Sequence, residues 1–177
     1  MAVAYEPVPE SDTASNVEQL FWLHHERVLR AAYRITGSMA DAEDVAQNLF
    51  LRLTSAPNKQ MDNPGSYLYR AAINGALDLL RSRRDKREVE LEHAAERSSD
   101  RIHDRPEQRL SDADIRRDVR QALAELSPRT AEMFVLRYLE DYDNLEIARL
   151  LGTSKAVVAV MLHHARTRLK KLLRGKR

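Results

Sequence analysis

A row of side chains suited to binding unpaired nucleic acid lies in the segment from residue 64 to 87. Its members recur every three or four residues and would share one face of a helix; they are Tyr67, Arg70, Asn74, Asp78 and Arg81. An aromatic ring can stack on a base, an amide can hydrogen-bond a base edge, and arginines bind phosphates. The basic end that follows, Arg81 to Arg87, adds phosphate affinity. A solvent-facing helix surface is the alternative interpretation, and this row alone does not exclude it.

A second nucleic-acid surface is predicted between Asn144 and Arg174. Two helices hinged at Gly152 form the helix-turn-helix pattern, whose second helix can enter a DNA major groove. The second helix would bury one apolar stripe, which consists of Val158, Leu162, Ala165, Leu169 and Leu172. Its opposite face begins with small apolar residues and histidines, and becomes basic only later. Such a face could contact thymine methyl groups, and it could equally contact a protein.

A protein contact is indicated by the helix predicted from Met39 to Leu53. Its outer face carries Leu51 among polar residues, namely Asp44, Gln47 and Asn48. An exposed leucine in such surroundings is a candidate docking residue. A leucine that packs into a local core is an equally good interpretation of the pattern alone.

The composition and motifs argue against several functions. The pairs His24-His25 and His163-His164 lack the spacing of a helical zinc site, and acids at a helix start, such as Asp41, more often complement the helix dipole than bind metal. No glycine-rich phosphate loop or nucleophile–base pair is visible, so we expect no enzyme activity, no metal and no cofactor. The chain has no cysteine, no apolar run long enough to span a bilayer and no visible signal peptide, which favours a reducing cytoplasm.

These surfaces require an all-α fold of two small helical bundles joined by a flexible linker. The chain has 177 residues, of which 43% are hydrophobic, 32% charged and only 6% aromatic, a mixture that favours helices over sheets. We predict a disordered tail over residues 1–15, a bundle over 16–87, an acidic linker over 88–111 and a second bundle over 112–177. The first helix, Val17 to Ile35, would bury Leu20, Leu23 and Ala31 and end at Gly37. Asn63-Pro64 and Ser127-Pro128 each predict a helix start with a cap and a proline.

Three ordered blocks resemble bacterial RNA polymerase sigma factors of the extracytoplasmic-function (ECF) group. Residues 41–53 resemble the helix that binds core polymerase, and residues 63–84 resemble the helix that reads the −10 promoter element. Residues 122–139, Glu146-Ile-Ala148 and 163–169 resemble the domain that reads the −35 element. A single helix-turn-helix is a weak signal, whereas three blocks in this order are a strong one.

The resemblance implies a role for each surface. Core polymerase, through the clamp of its largest subunit, would bind Asp41, Asp44, Gln47, Asn48 and Leu51. The −10 element would be read by Tyr67, Arg70, Asn74, Asp78, Arg81 and Arg84, with a flipped base held by the loop from Thr54 to Ser66. The −35 groove would receive Thr153, Ser154, Lys155, Ala159, Val160, His163, His164 and Arg166. The region 4-like bundle would also touch the polymerase flap, and an anti-sigma factor or other regulatory protein is an expected partner.

The sequence departs from the family pattern in the second bundle. Apolar Ala159, Val160 and Met161 stand where basic or polar residues are usual, His164 replaces a common arginine, and the segment 141–144 lacks the usual glycine. We therefore predict weak or altered −35 readout. The departures also favour an alternative function, a sigma-like interaction decoy that binds a protein instead of promoter DNA. A dimeric repressor is a third interpretation, weakened because no dimerisation helix or ligand domain is evident.

Overall fold

The computed structural model describes residues 10–55, 61, 63–95 and 112–174, and this part of the chain is all-α. Its helices are α1 (Glu10–Thr36), α2 (Met39–Ser55), α3 (Pro64–Ala95), α4 (Asp112–Ala124), α5 (Pro128–Tyr138), α6 (Asn144–Leu151) and α7 (Lys155–Arg174). Helices α1 to α3 form one bundle and α4 to α7 form the other. The predicted fold class is confirmed.

The first bundle is held by an apolar seam between three helices. Its centre includes Val28, Ile35, Leu68, Ile73 and Leu77, all almost fully buried. The prediction that Leu23 faces inward is wrong, because its side chain is 74% exposed. At 100° per residue, Leu23 lies about 120° from the stripe through Val28 and Ile35 that defines the buried face.

The helix boundaries differ from the predicted domain limits at two places. Helix α1 begins at Glu10, so residues 10–15 are helical, while residues 1–9 of the predicted tail lie outside the described residues. Helix α3 continues to Ala95, eight residues into the predicted linker, and residues 96–111 lie outside the described residues. The extension is rich in glutamate, leucine and alanine, which are strong helix formers, and no glycine or proline interrupts it.

The second bundle contains the predicted helix-turn-helix. Gly152 adopts a left-handed conformation (φ 61°) that ends α6, as the sequence indicated, and the Ser154 hydroxyl accepts a bond from the Val157 N–H at the start of α7 (3.2 Å). Four residues of the predicted α7 stripe are buried, and Leu172 packs at its edge. Both predicted cap-and-proline starts are present: Asn63 accepts from the Ser66 N–H (2.9 Å), and Ser127 precedes Pro128 at α5.

A capping box fixes the start of α6. Asp143 accepts from the backbone N–H of Glu146 (2.8 Å), and the Glu146 carboxylate accepts from the Asp143 N–H (2.6 Å). The hydrogen bond from the Glu146 backbone, followed by that from Leu145, lowers the pKa of the Asp143 carboxyl. Because the folded-state pKa is lowered, this cap stabilises the fold at neutral pH, and its contribution is lost as the pH falls through that value.

The turn between α5 and α6 stores backbone strain at Asp141. Its φ of 57° is the only positive value at a non-glycine position among the described residues. This conformation lets the Tyr142 N–H reach the Leu136 carbonyl (2.9 Å). A glycine would reach the same geometry without steric cost.

Asp141→Gly is therefore expected to stabilise the protein. Removing the left-handed strain should raise the free energy of unfolding by about 0.5–1 kcal/mol. The greater conformational entropy of glycine in the unfolded chain offsets part of this gain. Chemical denaturation followed by circular dichroism measures the change. Asp141→Ala is the control, since it retains a Cβ and loses the local hydrogen-bonding side chain, and it should lower stability. Equal stability of the two variants would contradict the strain.

The two bundles pack directly against one another. Helix α3 of the first bundle packs against α4 and α5 of the second. Buried residues therefore run continuously from Ile73 and Leu77 in the first bundle to Met133 and Leu136 in the second. The sequence did not predict this docking, and it changes the surroundings of the candidate nucleic-acid row on α3.

Candidate functional site

The row on α3 is partly covered by α5, which corrects its prediction as an outward face. Glu132, whose side chain is only 4% exposed, accepts hydrogen bonds from Arg70 Nε (2.9 Å) and Asn74 Nδ2 (3.4 Å). Arg70 Nη1 also donates to the Leu150 carbonyl at the end of α6 (3.4 Å). Two of the residues best suited to nucleic acid are thus bound to the other bundle.

The rest of the row is also engaged in the folded chain. Arg81 donates to Asp78 (2.7 Å) and is largely buried, and its Nη2 atom is buried without a hydrogen-bond partner. Arg84 donates to the Ala124 carbonyl of α4 (3.0 Å) and to Asp85, and this carboxylate raises the pKa of Arg84. Asp78 is exposed, while Tyr67 is half-buried. In the docked arrangement Arg70, Asn74 and Arg84 are therefore bound to the second bundle.

Further polar contacts join α1 to the turn after α5. Arg34 donates to the Leu139 carbonyl (3.0 Å) and to the Glu140 carboxylate (2.9 Å). Arg27 lies over the Tyr69 ring, 4.4 Å from its centroid, and donates to the Tyr142 hydroxyl (3.1 Å). Burial, and then the neighbouring Glu140, raise the pKa of the Tyr69 phenol, so that this ring stays neutral within the interface.

The outer face of α2 is open to solvent, as the sequence predicted. Asp44, Gln47 and Asn48 are exposed, and Leu51 exposes 54% of its surface. Beside them a groove of about 340 Å³ runs between α1 and α2, with Phe21 and Phe50 among its walls. An exposed leucine next to an apolar groove is an arrangement that suits a protein partner.

Asp41 does not belong to this surface, which corrects its assignment as a partner-binding residue. It is buried, and both of its carboxylate oxygens accept hydrogen bonds from Arg83 of α3. The Asp41 N–H donates to Ser38 Oγ (3.4 Å) at the start of α2. Its carboxylate binds Arg83 because the helix packing brings α3 alongside it.

The exposed face of α7 contains nearly all of the predicted groove residues. The exposed residues are Ser154, Lys155, Ala159, Val160, His163, His164 and Arg166, while Thr153 is half-buried. Val160 exposes 53% of its surface, and the neighbouring Val157, which is not among the predicted groove residues, exposes 46%. The leading end of this helix is therefore apolar in the structure as well as in the sequence.

Glu132 is a residue of the interface between the bundles that the sequence did not single out. It stands between Ala131 and Met133 on the buried face of α5, and a carboxylate at such a position requires a buried partner. That mismatch was a visible signal, but the partner lies 62 residues away and only the folded chain identifies it. The loop expected to hold a flipped base is only partly visible: residues 54–55 end α2, residues 64–66 begin α3, and residues 56–60 and 62 lie outside the described residues.

In the described part of the chain, no group of three or more potential metal ligands comes together. No helix in the same residues is long and apolar enough to cross a membrane.

Comparison with known proteins agrees with the geometry. Residues 20–86 match the family Sigma-70 region 2, and residues 116–169 match Sigma-70, region 4. The ECF RNA polymerase sigma factor SigE of Mycolicibacterium smegmatis is 32% identical over 160 residues, covering 88% of this chain and 61% of that protein. The RNA polymerase sigma factor CarQ of Myxococcus xanthus is 30% identical over 160 residues and covers 88% of both chains.

Among solved structures, the sigma factor RpoE of Bartonella quintana, in complex with the anti-sigma factor NepR, aligns over 92% of this chain and 99% of that chain, with 21% identity and a TM-score of 0.46.

The chain belongs to the RNA polymerase sigma-factor family, and specifically to its ECF group. The expectation that it is not an enzyme agrees with this family.

Proposed function

We propose that this chain is an alternative sigma factor, which binds core RNA polymerase and directs it to promoters that carry −10 and −35 elements. The observation that supports this most directly is the presence of both sigma regions in order, each with a candidate recognition helix. Region 2 supplies α2 for the clamp of the largest polymerase subunit and α3 for the −10 element. Region 4 supplies α7 for the −35 groove and contacts the polymerase flap. The protein would act in the cytoplasm and contribute no catalysis of its own.

The docked arrangement has to open before the −10 element is read. Glu132 binds Arg70 Nε and Asn74 Nδ2, and the Leu150 carbonyl binds Arg70 Nη1, so α5 and α6 lie against the side chains that would have to contact a base or phosphate. Binding of core polymerase would favour the separated state if its two contact sites lie further apart than the docked bundles allow. An anti-sigma factor could act in the opposite direction by favouring the docked state.

The distance between promoter elements sets how far the bundles must separate. Two turns of DNA span roughly 70 Å. Sixteen residues separate Ala95 from Asp112, and fully extended they would reach about 55 Å. The bundles' own dimensions would supply the remainder. The domain limits predicted from sequence are 16–87 and 112–177. Helix α3 extends beyond the first of these units, to Ala95.

Run-off transcription with purified core polymerase tests the proposal. The template is a pool of random promoter sequences, and the product is sequenced to recover the selected elements. We expect initiation at templates that share two motifs about two turns apart, and none with core polymerase alone. Absence of any selected promoter despite binding to core polymerase would contradict promoter recognition.

Val160→Glu is expected to weaken recognition of the −35 element. A carboxylate at this exposed position would be repelled by phosphates and could not contact a thymine methyl group, so promoter affinity of the holoenzyme should fall about tenfold. Filter binding with a selected promoter measures the loss. Ile115→Glu is the matched control, because Ile115 is similarly exposed on α4, outside both proposed DNA contacts. Equal affinity of the two variants would show that this face of α7 does not meet DNA.

A second candidate function is favoured by the same apolar face. A decoy that binds an anti-sigma factor or another protein would use Val157 and Val160 as contacts, and it would not need to release Arg70 and Asn74. The transcription experiment separates the two functions, because a decoy supports no initiation with core polymerase.

A further inference from the structure

A basic cleft opens between the two bundles. Its volume is about 800 Å³, and arginines from three helices line it: Arg83, Arg84 and Arg87 of α3, Arg117 and Arg120 of α4, and Arg168 of α7. Neither family region by itself contains this cleft, because its walls come from both bundles.

Half of these arginines are already neutralised by acidic neighbours. Arg83 binds Asp41, Arg84 binds Asp85, and Arg117 binds Asp114. Glu88 and Glu125 also line the cleft and act on Arg84. Six arginines therefore face five carboxylates, which are the three paired acids with Glu88 and Glu125, so the cleft has one net positive charge, and the other three arginines are those without an ion pair in the described part of the chain.

Those three arginines come from three different helices. No ion pair between described residues involves Arg87, Arg120 or Arg168. Arg120 uses Nε to donate to the Ile35 carbonyl (3.1 Å), and its guanidinium lies so close to Gly37 that a Cβ there would collide with it. Its terminal nitrogens remain available to a ligand, and its position is fixed by these contacts.

We propose that this cleft binds an oligophosphate, an anion with several linked phosphate groups. Guanidinium groups match phosphate oxygens with paired hydrogen bonds, and converging like charges are relieved by a multivalent anion. A DNA duplex fits less well, since its phosphates lie on a convex surface that arginines in a cleft between two bundles cannot surround. The ligand could be inorganic or the phosphate chain of a nucleotide.

Binding at this cleft would hold the bundles together. Arg87 belongs to the first bundle, whereas Arg120 and Arg168 belong to the second, so the complete site exists only in the docked arrangement. A ligand that binds only that arrangement shifts the population towards it. The anion would therefore oppose the opening that −10 recognition requires.

Isothermal titration of the full chain with tripolyphosphate at physiological ionic strength tests the site. We expect saturable binding of one ligand per chain, and sulfate at equal ionic strength should not reproduce it. Arg87→Gln and Arg168→Gln should each weaken the affinity about tenfold or more, because each removes charge-assisted hydrogen bonds. The controls are Lys86→Gln and Lys170→Gln, which remove one charge from the same helices outside the cleft and should change affinity less than twofold.

The remaining arms identify the ligand and its effect. Binding of both ATP and tripolyphosphate supports a nucleotide or inorganic source, and binding of tripolyphosphate alone supports the inorganic one. Tripolyphosphate should also raise energy transfer between labels on the two bundles. Absence of saturable binding, equal losses in the control variants, or competition by a short DNA duplex at the same phosphate concentration would overturn the proposal. Core polymerase is absent from these titrations, so their failure is distinguishable from failure of the sigma activity.

Discussion

Glu132→Gln is expected to shift the protein from the docked to the separated arrangement by about five- to 150-fold. The substitution keeps the size of the side chain but removes the buried charge that binds Arg70 and Asn74. A hydrogen bond between charged groups contributes roughly 1.5–3 kcal/mol, and a coupling free energy of about 1–3 kcal/mol corresponds to that range of equilibrium constants. The effect should be large because Glu132 is buried where α5 packs against α3, and water therefore screens its charge little.

Energy transfer between the bundles measures the shift. The chain has no cysteine, so cysteines introduced at the exposed positions Arg52 in α2 and Arg174 in α7 can carry the two dyes. The variant should lose transfer efficiency and bind single-stranded DNA from a selected −10 element more tightly than the wild type.

A matched control separates docking from general electrostatics. Glu26→Gln also removes one negative charge, but Glu26 is highly exposed and, among the described residues, forms an ion pair only with Arg30 on its own helix. It should change neither the energy transfer nor the affinity for DNA by more than a small factor. If both variants bind DNA more tightly to the same extent, the gain comes from net charge and the contact through Glu132 does not control opening.

Leu51→Glu is expected to reduce affinity for core polymerase by about 30-fold or more. Leu51 is the apolar centre of the α2 face, and burying a carboxylate there in place of an apolar anchor costs about 2 kcal/mol or more. Because the side chain is already half-exposed, the substitution should leave folding intact. Affinity for core polymerase is measured by fluorescence anisotropy of the labelled protein, and thermal unfolding verifies the fold.

Leu23→Glu provides the control for the α2 face. Leu23 is more exposed than Leu51, undergoes the same chemical change, and lies on α1 outside the groove beside α2. It should bind core polymerase with nearly wild-type affinity. An unchanged affinity of Leu51→Glu would remove α2 from the polymerase interface, while an equal loss in both variants would place the contact on a broader surface.

Local patterns were sufficient to predict the elements and their ends. The turn at Gly152, the cap at Ser127 and the buried stripe of α7 depend on neighbouring residues, whose conformational preferences act within a few positions of the chain. The exposed faces of α2 and α7 were also predictable, because helical spacing separates polar from apolar side chains. The errors at Leu23 and at the two ends of the predicted helices arose where the apolar pattern was weak.

The sequence by itself determined an all-α sigma-factor chain with three candidate recognition faces. The tertiary structure alone decided that Asp41 pairs with Arg83, that Glu132 occupies Arg70 and Asn74, and that arginines of both bundles meet in one cleft. These contacts join residues about 40 to 80 positions apart, and no local periodicity encodes which charge will meet which. Their partners are selected only when apolar burial brings α3, α4 and α5 together, and the available charges then pair within the space that packing leaves.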